Sequence, residues 1–206
     1  YAVGVTFAVA LAFAIEWPLA MLTPILTARF LATPMPHPTL KMGVGLFSYV
    51  LIAFSVGLCF TLFLLPYPLV YAVALFIILF HLFYYLNRRG SMYLAIMVLL
   101  AVVVLPVLAT ANEALAVALS IYFTFSAGVA VVLLLAAHAL IPNPPVGGSR
   151  RPKPAKITTF SRPAAQAALK SALVLTPLAL LFISATLTNI VPVLIFSTFF
   201  LLQPDL

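Results

Sequence analysis

Residues 42–87 form an uninterrupted stretch without a single Lys, Arg, Asp or Glu, and no other feature limits the fold so strongly. A helix needs about 20 apolar residues to cross a hydrocarbon core of about 30 Å, so this stretch has room for two membrane-spanning helices. Pro66 and Pro68 divide it, because proline cannot donate a helical hydrogen bond and biases the preceding residue away from helix. The pattern therefore predicts one span over 42–65 and a second over 69–86.

The composition of the whole chain agrees with a membrane protein. Apolar residues make up 66% of the 206 residues, charged residues 6%, and the mean hydropathy is +1.27, whereas a soluble domain carries about 25% charged residues. The formal net charge of +7 predicts contact with the lipid bilayer and its anionic headgroups, with no nucleic-acid partner. The single cysteine, Cys59, offers no disulfide or metal framework. The sequence contains no phosphate loop, zinc-ligand spacing or nucleophile motif, so we expect neither an enzyme nor a cofactor.

Further apolar runs predict spans along the rest of the chain. Two short runs near the start, each about 22 Å long as a helix, are shorter than the hydrocarbon core. Only helices and closed barrels satisfy the backbone in lipid, and the apolar runs lack the alternation of barrel strands. The sequence therefore predicts an all-α polytopic transmembrane bundle of about eight spans. Its remaining six spans are expected at 2–16, 19–33, 92–109, 114–141, 164–184 and 190–203.

Basic residues are distributed unevenly between alternate loops. With the N-terminus placed in the cytoplasm, the opposite loops hold Glu16 and Glu113 and no Lys or Arg. Cytoplasmic loops of membrane proteins carry an excess of basic residues, so this arrangement predicts a cytoplasmic N-terminus. The basic residues that then fall on the cytoplasmic side are Lys41, Arg88, Arg89, Arg150, Arg151, Lys153, Lys156 and Arg162, with Lys170 close behind.

Two proline-containing segments of the chain resemble each other. When the sequence is shifted by 168 residues, Pro24 falls on Pro192 and Pro36 falls on Pro204. Six predicted spans separate the two copies, so both enter the membrane from the same side, as a parallel repeat requires. We therefore predict three regions, with the second repeat truncated in this chain. They are a six-span block over 1–141, a basic Pro/Gly-rich cytoplasmic linker over 142–163, and the first two spans of a second repeat over 164–206.

Several short motifs are similar to those of a bacterial inner-membrane family. They are Gly4-Val5-Thr6, Trp17-Pro18, Pro24-Ile25-Leu26, Leu64-Leu65-Pro66-Tyr67-Pro68, Leu105-Pro106-Val107-Leu108 and Ala137-His138-Ala139-Leu140-Ile141-Pro142-Asn143-Pro144. Together they resemble the fusaric acid resistance proteins and aromatic acid exporters, a family with one branch catalogued as a domain of unknown function. The resemblance implies two six-span blocks in the bacterial inner membrane. It also implies proton-driven efflux of small aromatic or related carboxylates, often beside a periplasmic membrane-fusion adaptor.

Polar and charged side chains at membrane depth are candidates for function, because they are costly there. Arg29 lies about one helical turn inside its apolar run, where it could attract an anion or extend to the headgroups. Thr23 and Thr27 are expected on a helix face near Arg29. Their hydroxyls could orient a carboxylate there, or they could bond to carbonyls of their own helix.

Proline interrupts both short terminal spans at corresponding places. Short, interrupted spans in two halves of a chain are typical of a transport site, where helix ends or free carbonyls meet the substrate. Proline also occurs in ordinary membrane helices, which is the alternative interpretation. This pattern adds Pro24, Pro192 and the nearby Ser197 to the substrate-path candidates.

Three titratable residues are candidates for a proton relay. His81 and His138 lie in apolar spans, and histidine titrates near pH 6.5. Each could equally bond to its own helix or face the headgroups. Glu16 lies at a predicted turn beside Trp17, where it is either a partly buried proton carrier or an interfacial acid beside an aromatic anchor.

The leading hypothesis is part of a proton-driven exporter of small organic, aromatic-type acids. One alternative is a passive anion channel, because plant anion channels are distantly similar in their six-span block. A second alternative is a membrane scaffold that anchors an efflux adaptor and transports nothing. The absence of a nucleotide-binding motif in the sequence favours an ion gradient as the energy source of any transport.

Overall fold

The computed structural model of the chain describes residues 2–15, 20–32, 39–88, 90–140, 160–186, 193 and 197. Within these residues the secondary structure is helical, without strands. The helices are α1 (Ala2–Ile15), α2 (Leu22–Ala32), α3 (Leu40–Leu64), α4 (Pro68–Asn87), α5 (Met92–Leu99), a π-helical segment (Leu100–Val104), α6 (Leu105–Ala111), α7 (Glu113–Leu140) and α8 (Arg162–Ser184).

Among the residues that the structure describes, five helical stretches are long and apolar enough to cross a membrane, and α1 and α2 are shorter apolar helices. The predicted all-α, polytopic membrane fold is confirmed. The predicted span over 190–203, and most of the predicted 142–163 linker, lie outside the described residues. The five long stretches are Leu40–Leu64, Pro68–Asn87, Met92–Ala111, Glu113–Leu140 and Arg162–Ser184.

Local sequence signals set the helix starts. Pro68 begins α4, where the first turn needs no amide donor. Ser91 precedes α5 and its hydroxyl accepts a hydrogen bond from the Leu94 amide at 3.4 Å. Ser161 caps α8 in the same way, through the Ala164 amide at 3.5 Å. Such caps satisfy amides that have no partner within the helix.

The contacts between residues divide the chain into two compact units. The first unit comprises Tyr1–Ile52 and Ala118–Arg151, and the second comprises Ala53–Val117 and Pro152–Leu206. Each unit therefore takes part of α3 and part of α7. The sequence boundaries at 141 and 163 mark a proposed repeat and linker, and they stay a prediction.

In the first unit, α1 packs against α2 through small residues. Gly4, Ala8 and Ala12 follow one another at one residue per turn, and both alanines are buried. A Cβ at Gly4 would lie 2.7 Å from Leu31 Cδ1 and 3.5 Å from Ala137 Cβ. Small side chains thus allow the helix backbones to approach closely, as is common inside membranes.

In the second unit, α4 packs along α8 and the span Met92–Ala111 is the most buried of the five. That span is 61% buried, against 44% or less for the others. Residues 101–107 are all buried in succession, so no side of the helix is exposed there.

The π-helical segment lies in the middle of this buried span. Pro106 follows it and has no amide hydrogen to donate to a carbonyl four or five residues earlier. The wider turn brings Ala101 against Gly57 of α3, where a Cβ would lie 2.6 Å from Ala101 Cβ and 3.0 Å from its carbonyl carbon. Glycine is required at 57 because the facing atoms belong to the backbone as well as to the side chain.

Candidate functional site

The α2 helix carries two buried hydroxyls at its N-terminal half. Thr23, Leu26, Thr27 and Phe30 form its buried face, with the spacing of a single helix stripe. Thr23 and Thr27 are both 0% exposed, and neither side-chain oxygen has a hydrogen-bond partner within the described part of the chain. Buried hydroxyls normally find a partner, because an unmade hydrogen bond in an apolar environment costs about 1–3 kcal/mol. Because two neighbouring hydroxyls lack a partner, this face of α2 is a candidate site for a bound molecule that accepts hydrogen bonds.

Arg29 lies on the exposed side of the same helix, in its last turn. Two residues separate it from Thr27, which corresponds to about 200° around an α-helix. The expectation that the threonines and Arg29 share a face is therefore wrong. The guanidinium and the two hydroxyls are separate features of α2, and the hydroxyl face is the buried one.

Pro24 occupies the third position of α2, which starts at Leu22. Amides in the first turn have no acceptor within the helix, so the proline fits there without breaking a helical hydrogen bond. Just before it, the Thr23 amide donates to the Ala20 carbonyl at 3.1 Å. Pro24 therefore helps to start a short helix beside Thr23. It lies at a helix end, and a meeting of this helix end with a substrate stays a prediction.

Three other candidate side chains bond to the carbonyl four residues earlier in the chain. His81 Nδ1 donates to the Ile77 carbonyl at 2.8 Å, and His138 Nδ1 donates to the Leu134 carbonyl at 2.9 Å. The Ser197 hydroxyl donates to the Val193 carbonyl at 2.8 Å. A carbonyl oxygen can only accept, so each histidine carries a hydrogen on Nδ1, and the donor of Ser197 is occupied.

Two of the predicted site residues belong to parts of the chain that the structure does not describe. Glu16 and Pro192 lie outside the described residues. Their roles as a proton carrier and as the second proline of the repeat stay predictions. Within the described part of the chain, no group of three His, Cys, Asp or Glu residues could hold a metal ion.

Sequence reasoning did not identify a groove of about 500 Å³ in the second unit, between the start of α4 and the end of α8. Nearby, Tyr71 on α4 and Thr176 on α8 have buried side-chain oxygens that bond to none of the described residues. One sequence signal could have pointed to this groove, namely a polar residue close to a proline inside an apolar run. It occurs at Tyr71 after Pro68 and at Thr176 before Pro177. The groove is lined by Leu65, Pro68, Leu69, Tyr71, Ala72, Pro177, Leu180, Leu181, Ile183 and Ser184.

Over residues 1–137 the sequence matches a family described as a protein of unknown function (DUF2955). No curated protein and no solved structure matches the chain. The finding carries no activity with it, and the specific resemblance to fusaric acid resistance proteins and aromatic acid exporters stays a prediction. The match covers more than half of the chain, including α1–α6 and most of α7, and the chain therefore belongs to the DUF2955 family.

Proposed function

We propose that this chain forms part of a secondary transporter that exports small organic acids across a bacterial inner membrane, with its N-terminus in the cytoplasm. The observation that supports this most is the pair of buried, unpartnered hydroxyls of Thr23 and Thr27. They lie in a chain with five apolar helices long enough to span a membrane. A polar pair without a partner among the described residues, in a membrane protein of this kind, suits a substrate that arrives and leaves.

The position of Thr23 favours an anionic or hydrogen-bond-accepting substrate. It is the second residue of α2, so it lies where the amides and the helix dipole present partial positive charge. A threonine hydroxyl can donate one further hydrogen bond to a carboxylate oxygen. Transporters use the N-terminal ends of short membrane helices in this way to hold anionic groups.

Proton coupling is supported by the two histidines of the spans. Each Nδ1 donates to a carbonyl of its own helix, which holds the imidazole ring in place within an apolar span. Histidine changes its charge near neutral pH, which suits exchange of a proton for an acid. A proton gradient is also the energy source that fits a chain without a nucleotide-binding motif.

Flux measurements test this proposal directly. The natural full-length protein is reconstituted in liposomes loaded with a labelled aromatic carboxylate, and release is followed with and without a pH gradient. We expect release that accelerates severalfold when protons can run inward against the acid. Release that ignores the gradient would support a passive anion channel instead. Folded protein that releases nothing in either condition would support the scaffold alternative, which includes docking of a periplasmic membrane-fusion adaptor.

A further inference from the structure

One end of the α4–α8 pair concentrates positive charge and aromatic rings. The Arg88 guanidinium, directly after α4, lies over the Tyr84 ring with its carbon 5.3 Å from the ring centroid. The Tyr84 hydroxyl accepts a hydrogen bond from the Ser161 amide at 3.3 Å, which ties the end of α4 to the start of α8. Arg162 follows Ser161 directly and is exposed. Tyr84 therefore fixes both arginines at the same end of this helix pair.

The surroundings of this cluster are those of a lipid headgroup region. Phe160 is 76% exposed and its ring lies 6.1 Å from that of Tyr84. Exposed aromatic rings beside cations at a helix end are typical of the membrane interface. The start of α8 adds the partial positive charge of a helix N-terminus.

An apolar groove leads away from the charged end along α4. It has a volume of about 340 Å³ and is lined by Ile77, Ile78, His81, Leu82 and Tyr85. From Ile77 to the end of α4 at Asn87 the helix rises by about 15 Å. This is about half of the 30 Å hydrocarbon core, the depth that the acyl chains of one leaflet fill. Arg88 lies three residues after Tyr85, so the cation continues the side of the helix that carries the groove.

We propose that this part of the second unit binds one anionic phospholipid, whose phosphate contacts Arg88 and Arg162 and whose acyl chain lies in the Ile77–Tyr85 groove. Charge complementarity selects this occupant: two cations at the membrane edge attract a lipid with net negative charge more than a zwitterionic one. Guanidinium groups also bind phosphate oxygens in a fixed, two-pronged geometry. Arg88 keeps its contact with Tyr84 while it does so.

The test compares lipids of matched acyl chains on the natural full-length protein. Affinity for phosphatidylglycerol and for phosphatidylcholine is measured in nanodiscs by native mass spectrometry and by the shift in unfolding temperature. We expect preferential retention of phosphatidylglycerol, and about 5-fold weaker retention for each of Arg88→Gln and Arg162→Gln. Lys41→Gln removes an exposed cation from the start of α3 and serves as the matched control, with retention unchanged. Equal retention of both lipids, or equal losses in all three variants, would overturn the proposal.

Two further arms separate the headgroup from the groove and from free phosphate. Ile78→Trp fills the groove, and we expect it to lower phosphatidylglycerol retention while the arginines stay intact. Arg88→Lys keeps the charge and should retain more lipid than Arg88→Gln, which guards against a variant that merely misfolds. Soluble glycerol phosphate should shift the unfolding temperature far less than the lipid. A shift as large as that of the lipid would show a phosphate site with no role for the bilayer.

Discussion

Replacement of Gly57 by alanine tests the close approach of α3 to the π-helical segment. A Cβ at this position would lie 2.6 Å from Ala101 Cβ, 3.0 Å from its carbonyl carbon and 3.1 Å from its carbonyl oxygen. All three distances are below normal contact, and two involve backbone atoms that cannot rotate away. Overpacking of this kind costs about 1–3 kcal/mol, against which alanine gains about 0.5–1 kcal/mol in a helix. We therefore expect Gly57→Ala to lower the free energy of unfolding by about 1–2 kcal/mol.

Gly45 of the same helix provides the control, because a Cβ there would meet nothing within 4 Å. Gly45→Ala should stabilise the protein by about 0.5–1 kcal/mol through helix propensity alone. The assay is thermal or denaturant unfolding in detergent, followed by helical circular dichroism. Ala101→Gly in the Gly57→Ala background removes one of the three clashes and should restore part of the loss. If Gly57→Ala stabilises the protein as much as Gly45→Ala does, the close approach at the π-helical segment is wrong.

Three other predictions address separate parts of the chain. Gly4→Ala should change the free energy of unfolding by less than about 1 kcal/mol, because the atom nearest to the added Cβ is the flexible end of Leu31, at 2.7 Å. A loss as large as that of Gly57→Ala would contradict this prediction. Tyr84→Phe removes the hydroxyl that accepts the Ser161 amide hydrogen bond, so we expect it to lower the free energy of unfolding by about 0.5–1.5 kcal/mol. An unchanged free energy of unfolding would show that this hydrogen bond between Tyr84 and Ser161 is not formed. Single cysteines are placed at Thr39 or at Asn112 in a Cys59→Ala background and labelled with a membrane-impermeant reagent. We expect the cysteine at position 39 to react from the cytoplasmic side and the one at 112 from the opposite side, and the reverse pattern would contradict the predicted orientation.

The spans of this protein could be predicted from the sequence because their ends are chemically marked. The prediction over 69–86 differs from α4 (Pro68–Asn87) by one residue at each end. A proline begins that helix and a polar, basic turn ends it, so the limits of the apolar run and of the helix coincide. The same reasoning applies to the span that ends at Ser184, which the sequence placed at 164–184.

The buried face of each helix was harder to predict. Helices such as α1 and α4 are apolar on every side, so periodicity does not indicate which side faces the rest of the protein. For this reason the sequence placed Thr27 and Arg29 together, although the structure has one buried and the other exposed. The sequence also left open which side of α4 would carry Tyr71 into the interior, where its hydroxyl has no partner among the described residues.

The π-helical segment at Leu100–Val104 was likewise not predictable. Pro106 was visible in the sequence, but proline in a membrane helix can be accommodated by a kink, by a neighbouring hydroxyl or by a wider turn. The choice depends on what packs opposite. Here Gly57 leaves the room that the wider turn occupies, and the two residues are far apart in the sequence.

The claim that the hydroxyl face of α2 holds the substrate is tested most directly by measuring stability and transport together on one pair of variants. Valine has the shape of threonine without the hydroxyl, so Thr23→Val and Thr27→Val remove the unpartnered oxygens and leave the packing in place. We expect each to raise the free energy of unfolding by about 1 kcal/mol and to slow carboxylate release about 3–10-fold. Thr61→Val is the control, because the buried Thr61 hydroxyl already donates to the Gly57 carbonyl at 2.8 Å and its loss should not stabilise the protein. Greater stability together with slower release would support the account, and unchanged release from the stabilised variants would contradict it.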